Sequence, residues 1–249
     1  MSEVLRVLTL NMHKGFSRFS RGMVIHELRE GLRGIDADLV FLQEVQGRHE
    51  RHAARFADWP SAPQHEFLAE ARWLHAYGKN AVYDHGHHGN AILSRYPFVS
   101  SETENVSDHR FERRGLLHSV IRLPGWQRNL HCLCVHLSLH ERGRRRQLEA
   151  IAARLDALVA QDMPVIVAGD FNDWRQYASE MLGKRLGMSE VSLALRGRSA
   201  LTFPSWLPLL RLDRIYVRGL RIVDARVHRD PHWKRLSDHL PVSAELRSA

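Results

Sequence analysis

The chain has 249 residues, 44% of them hydrophobic and 26% charged, which supports a sizeable core and excludes a disordered or low-complexity chain. No apolar run reaches the ~20 residues of a membrane span, so no integral membrane segment is expected, and the start of the chain lacks a secretory pattern, so a cytoplasmic location is expected. The formal net charge of +8 points to a polyanionic partner, with basic clusters at 110–114, 142–146 and 226–235.

In chain order, residues 4–11 form a mostly apolar run that ends in Asn11 and is followed by Met12-His13-Lys14-Gly15. Residues 23–35 read as a helix, with Val24, Leu28, Leu32 and Ile35 on one stripe. Residues 38–44 are a strand ending in Glu44. Residues 59–89 are expected to be an irregular segment bordering a site. That segment closes in His85-Gly86-His87-His88-Gly89, where the glycines and the missing cysteine or carboxylate favour a flexible loop over a structural zinc. Strands follow at 89–94, 116–122 and 130–136, the last ending in His136. Its Cys132 and Cys134 are too close along a strand to bridge without distortion, and read as two buried thiols. A second helix is expected over 144–161, with Leu148, Ile151, Leu155 and Leu158 on its buried face.

The run from Val167 to Asn172 is an apolar strand ending in Gly169-Asp170-Phe171-Asn172. Residues two apart on a strand share a face, so Asp170 and Asn172 project together while Phe171 turns to the core. Residues 196–211 are expected to form a second loop beside the site. In the last segments the order reverses: Asp213 precedes a strand at 214–217, and Ser237-Asp238-His239 precedes one at 240–244, with a further strand at 220–227. If the earlier strands run toward one rim and these run away from it, the polar ends converge. The convergent set is Asn11, Glu44, His136, Asp170, Asn172, Asp213, Asp238 and His239. Because it draws on both halves, a single domain over 1–249 is expected. Strands and helices without strict alternation suit two packed sheets with helices outside.

These ordered motifs, from Asn11 through Leu-Gln-Glu44, Gly-Asp170-Phe-Asn172 and Leu-Asp213-Arg-Ile to Ser-Asp238-His239, resemble the signature of the endonuclease/exonuclease/phosphatase superfamily. Pancreatic-type DNases, apurinic endonucleases, sphingomyelinases and inositol polyphosphate phosphatases belong to it. Residues 11–16, 87–97, 169–176 and 208–217 are more similar still to a small bacterial subgroup, the YbhP-type proteins. The resemblance implies an α+β fold, a four-layer α/β/β/α sandwich of two mixed sheets (DNase I-like). It also implies an Mg²⁺- or Mn²⁺-dependent hydrolase of phosphodiester bonds. The secreted DNases carry disulfides that this chain lacks, which fits a reducing compartment.

Phosphodiester cleavage needs a neutralised phosphate, an activated water and a stabilised leaving oxygen. Glu44 is the expected principal metal ligand, with Asn11 orienting the cation or a phosphate oxygen and Asp238 either binding a second metal or fixing the strand entry. An Asp213–His239 pair would activate water or counter developing charge, Asp170 is the other candidate base, Asn172 a phosphate or transition-state donor, and His136 a phosphate contact. Arg114 matches the family's basic phosphate-contact position. Asn90 is expected to line the cleft, Trp206 to stack on a base or sit in a headgroup interface, and His13 to face the substrate. Apurinic endonucleases usually have a carboxylate where this chain has His13, which argues against abasic-site repair. The expected partner is nucleic acid, DNA first, with anionic phospholipid as the alternative and Trp206, Leu207, Leu209 and Leu210 as an interfacial patch. A monomer is expected.

Overall fold

The computed structural model describes residues 4–17, 22–108 and 112–249. Arg110, in one of the basic clusters, and the first residues read for a leader lie outside the described residues. The first half lays down β1 (Leu5–Asn11), α1 (Ile25–Ile35), β2 (Leu39–His49), α2 (Glu50–Arg55), α3 (Gln64–Ala69), β3 (Leu74–Tyr83), β4 (Gly86–Ser94), β5 (Phe98–Asn105) and β6 (Gly115–Ile121). The second half adds β7 (Leu130–His136), α4 (Glu141–Leu158), β8 (Val165–Asp170), α5 (Tyr177–Leu186), β9 (Ser189–Glu190) and α6 (Val191–Arg196). It closes with β10 (Asp213–Arg218), β11 (Leu220–Val227), α7 (Trp233–Leu236) and β12 (Val242–Ser248).

One sheet has the order β11-β12-β1-β2-β4-β3 and the other β5-β6-β7-β8-β10-β9. Val7, Leu39, Phe41 and Ile92 of the first sheet meet Leu117, Cys132, Cys134, Ile166 and Ala168 of the second in one inter-sheet core. On the outer face of the first sheet, Leu8, Leu10, Val40 and Leu42 pack against Ile25, Leu28 and Leu32 of α1 and Trp233 of α7. On the outer face of the second, Val135, Val165 and Val167 pack against Leu148, Ile151 and Leu155 of α4. The result is the four-layer sandwich. The central strands are covered on both faces, which is why β1 and β8 read as mostly apolar runs rather than alternating ones, with the exposed Arg6 interrupting β1. Both cysteines are free, and fully buried in the inter-sheet core.

Two expectations are corrected. Residues 59–89 are not irregular, because α3 and β3 occupy most of them. As the edge strand of its sheet, β3 carries exposed and polar positions that masked its period. Nor is the histidine-rich stretch a flexible loop: Gly86–Gly89 are paired within β4. A Cβ at Gly89 would sit 1.8 Å from the Gly78 carbonyl, so that glycine permits strand contact rather than motion. Among the described residues no helix is long and apolar enough to cross a membrane.

Candidate active site

Strand register assembles the site. The parallel pair β1–β2 aligns Asn11 with Gln43, the parallel pair β7–β8 aligns His136 with Asp170, and the antiparallel pair β8–β10 aligns Asp170 with Asp213. Strand β12 runs antiparallel to β1, which brings the preceding Ser237-Asp238-His239 to the same rim. Gly169 is required for this alignment. Its φ is +149°, and a Cβ there would lie 1.9 Å from the Val135 carbonyl, just before His136.

Asp170 is the hub. Its Oδ2 accepts from Asn11 Nδ2 at 3.1 Å and lies 3.5 Å from His136 Nε2 and 3.7 Å from His239 Nε2. Its Oδ1 accepts from the Asn172 backbone N–H at 2.9 Å. The His239 Nδ1 stands 2.8 Å from Asp213 Oδ2, while Asp213 Oδ1 is buried without a hydrogen-bond partner. Asp170, Asp213 and His239 offer ligand atoms within 4.8 Å of one another, a group that could hold a metal ion.

Burial sets the electrostatics. It pushes the Asp170 carboxyl up to about 6, against the pull of the His239 cation. Burial also opposes charge on His239, but the carboxylates of Asp213 and then Asp170 outweigh it and raise the imidazole to about 10. His136 has no such compensation. Its pKa lies well below the usual histidine range, through burial and the nearby charge of Arg114.

Glu44 reaches the rim by a route the strand pattern did not disclose. Strand β2 continues to His49, and its register with β4 slips between Leu42 and Val45, leaving an extra residue at a bulge. Glu44 takes φ +57° there, a left-handed conformation unusual for a side-chain-bearing residue, as Asn172 does at +49°. Among the described residues the Glu44 carboxylate has only long contacts, with Asn11 Nδ2 at 3.5 Å and Lys14 Nζ at 3.9 Å. Beside it, His13 Nδ1 lies 3.7 Å from Asp238 Oδ1.

Some expected contacts sit elsewhere. Asn90 does not line the cleft: it is fully buried and donates to the Gly115 and Cys134 carbonyls in the second sheet. The Asn172 side-chain amide donates to the Leu137 carbonyl at 2.9 Å, so that N–H is already used within the protein. Arg114 stands near His136 and His88, with its guanidinium held by Glu112 at 3.1 Å. The ring that meets His239 is Phe203, at 4.9 Å between centroids, while Trp206 is exposed on the same loop. In the 142–146 cluster Arg144 is buried and donates to the Ser138 and Leu139 carbonyls, Arg145 pairs with Glu141 and Arg146 with Asp108. That part of the basic charge is therefore answered within the protein.

The sequence names Ser237 and Lys14 within its motifs but assigns neither a role. The Ser237 hydroxyl donates to the Asn11 carbonyl at 2.7 Å and accepts from the His239 backbone N–H at 3.2 Å, clamping β1 to the segment that carries His239. Both residues lie within stretches already singled out, Ser237-Asp238-His239 and 11–16, which was the available signal.

The architecture defines the chain as a DNase I-like α+β sandwich, and solved structures superpose on it. An endonuclease/exonuclease/phosphatase from Beutenbergia cavernae gives a TM-score of 0.76 at 20% identity, covering 99% of this chain and 72% of that one. TDP2 of D. rerio, solved with a single-strand DNA product, gives 0.73 at 18%, covering 99% and 100%. The chain belongs to the Endonuclease/Exonuclease/phosphatase family, whose profile matches residues 8–239 and whose members hydrolyse phosphoester bonds. It is 46% identical over 242 residues to the uncharacterized protein YbhP of Escherichia coli K12, spanning 97% of this chain and 95% of the relative. It is 29% identical over 252 residues to the UPF0294 protein YE0917 of Yersinia enterocolitica, spanning 99% and 85%.

Proposed function

We propose that the chain is a divalent-metal-dependent phosphodiesterase acting on DNA, built as one domain, with Asp170 as its base. The observation that carries this reading is the convergence of Asn11, His136 and His239 on a single buried oxygen of Asp170, at 3.1, 3.5 and 3.7 Å. Sequence alone leaves the base open between His239 and Asp170. An imidazole whose pKa is raised to about 10 keeps its proton at neutral pH and has no lone pair for another. Asp170, ionised above about 6, accepts the proton of the attacking water. His239, oriented by Asp213, faces the phosphate as a fixed cation and stabilises the charge that builds there. Asn11 and the Asn172 backbone N–H hold the Asp170 carboxylate in one orientation, and His136 lies neutral against it.

The donor set at the outer rim fits Mg²⁺ or Mn²⁺, which take oxygen ligands. Glu44 is a carboxylate about one-fifth exposed, with contacts at 3.5 and 3.9 Å that leave its coordinating capacity unused. It would be the principal ligand, with Asn11 and Asp238 as the further residues that would hold the ion. The Asp170–Asp213–His239 group fits less well, because a cation there would compete with the His239 proton and its 2.8 Å bond to Asp213. When bound, the cation neutralises phosphate charge and the departing oxygen.

DNA is favoured by the net charge of +8 and by the TDP2 structure of the same fold, which holds a single-strand DNA product. A second reading, hydrolysis at phospholipid or inositol-phosphate headgroups, is supported by the exposed Trp206, Leu207, Leu209 and Leu210 on the loop that contacts His239 through Phe203. The deciding experiment incubates the protein with plasmid DNA, anionic liposomes and bis(p-nitrophenyl) phosphate, each with and without Mn²⁺. Nicking of plasmid that EDTA and Asp170→Ala both abolish is the expected result. Headgroup release with intact plasmid selects the second reading, and no turnover of any substrate rejects both.

A further inference from the structure

Strand β2 does not stop at Glu44. It runs on to His49 and delivers α2 directly, so the strand that carries Glu44 also carries His49 and leads into His52 and Arg55 of α2 and, one residue later, Phe56. Beside Glu44 these residues border a cleft of about 520 Å³. Lys14 lines it and lies 3.9 Å from Glu44, while His88, also in its wall, feels the charge of both.

The walls are rings. His49 stacks on His52 with centroids 3.5 Å apart, Tyr83 meets His49 edge-on at 5.7 Å, and Phe16 lies 5.5 Å from Phe56. The Arg55 guanidinium lies over the Phe56 ring at 5.3 Å. Among the described residues that line the cleft, Lys14 and Arg55 are the cations and none is a carboxylate. An aromatic group that merely closed a small core would bury its rings, whereas His49, His52, Phe56 and Tyr83 all remain partly exposed. Nor do the histidines make a metal site, since among the described residues only the Asp170 group brings three such ligand atoms close together. Burial and the adjacent His49 hold His52 down to about 4, so it is a neutral flat ring at physiological pH. The cleft thus gathers partly exposed rings with positive charge at the edge, complementary to an anion that carries a planar ring. A phospholipid or inositol headgroup has the phosphate without the ring.

We propose that this cleft is a nucleobase subsite, which stacks the base of the nucleotide bonded to the scissile phosphate against the rings of α2 and Tyr83, with Lys14 and Arg55 on its phosphates. The proposal rests on the reading of the neighbouring centre as a nucleic-acid phosphodiesterase, and deepens it. A substrate whose base is removed forfeits the stack and keeps only the phosphate contacts.

The test is a binding titration of the full chain with deoxyadenosine 5′-monophosphate and with deoxyribose 5-phosphate. The nucleotide is expected to bind about tenfold or more tightly, the loss that one aromatic stack carries. Phe56→Ala should erase that preference and Phe56→Tyr, which restores a ring, should recover it. Equal affinities for the two ligands in the natural chain, or a preference that survives Phe56→Ala, would overturn the subsite. The catalytic reading fails separately: it is lost if bis(p-nitrophenyl) phosphate is not turned over with Mn²⁺, an outcome that leaves the binding ratio standing.

Discussion

Asp170, Asp213 and His239 are buried and joined at 2.8–3.7 Å, whereas Glu44, Lys14, His13 and Asp238 have side chains 20–42% exposed with contacts of 3.4–3.9 Å. One rim therefore contains a rigid inner group and an open margin. The inner group already holds its charges in place and needs little reorganisation during a reaction. The margin has unused ligand capacity, which is what a cation or a substrate requires. The cleft beyond Lys14 extends the margin rather than the inner group.

Breaking the inner group should have the largest effect. His239→Ala is expected to lower turnover about 10³-fold while changing DNA affinity only slightly. Steady-state rates and a binding titration on the same preparation check it, and equal losses in both would erase the distinction between inner group and margin. Support from behind should matter nearly as much. Arg214 is fully buried, donates to Tyr216 Oη at 2.9 Å and to the Asp173 carbonyl, and lies 3.3 Å from the Asp173 carboxylate, one residue beyond Asn172. Arg214→Met leaves Asp173 without its buried partner and should cost about 3–5 kcal/mol of stability in urea unfolding. A change below about 1 kcal/mol would show that the surroundings of Asp173 solvate it without Arg214.

Titration sharpens the comparison further. The base must be ionised and His239 must be protonated. Turnover is therefore expected to rise about tenfold per pH unit toward the Asp170 value near 6, hold a plateau, and decline as His239 loses its proton near 10. A rate that instead climbs through the alkaline range would assign the base role to His239. The margin should yield the mildest effect. Glu44→Gln is expected to raise the Mn²⁺ needed for half-maximal rate by about tenfold, with excess Mn²⁺ restoring much of the activity. An unchanged metal requirement would move the ion away from Glu44.

Much of the site was legible in the chain. Asn11, His136, Asp170 and Asp213 stand where polar residues begin or end apolar strands, and each meets the rim in the structure. Asn90 was misread because a strand-end amide looks the same whether it faces a cleft or bridges to the opposite sheet through the Gly115 and Cys134 carbonyls. β3 was missed because an edge strand relaxes its apolar alternation. Trp206 drew attention over Phe203, and the ring packed on His239 is the latter. The basic cluster at 142–146 read as pointing to a polyanionic partner, yet the partners of Arg144, Arg145 and Arg146, which are Ser138, Glu141 and Asp108, could be found only in the fold.

The local pattern of apolar runs and terminal polar residues determined, without coordinates, the two-sheet architecture and the residues gathered at its edge. Strand period and chain reversal are properties of neighbouring residues, and they survive folding. The bulge that aims Glu44, the ordering of proton affinities between Asp170 and His239, and the ring-lined cleft at α2 were decided by tertiary structure. Each depends on burial and on register between segments far apart in the chain, as with Asn11 and Asp170, 159 positions apart and 3.1 Å from donor to acceptor.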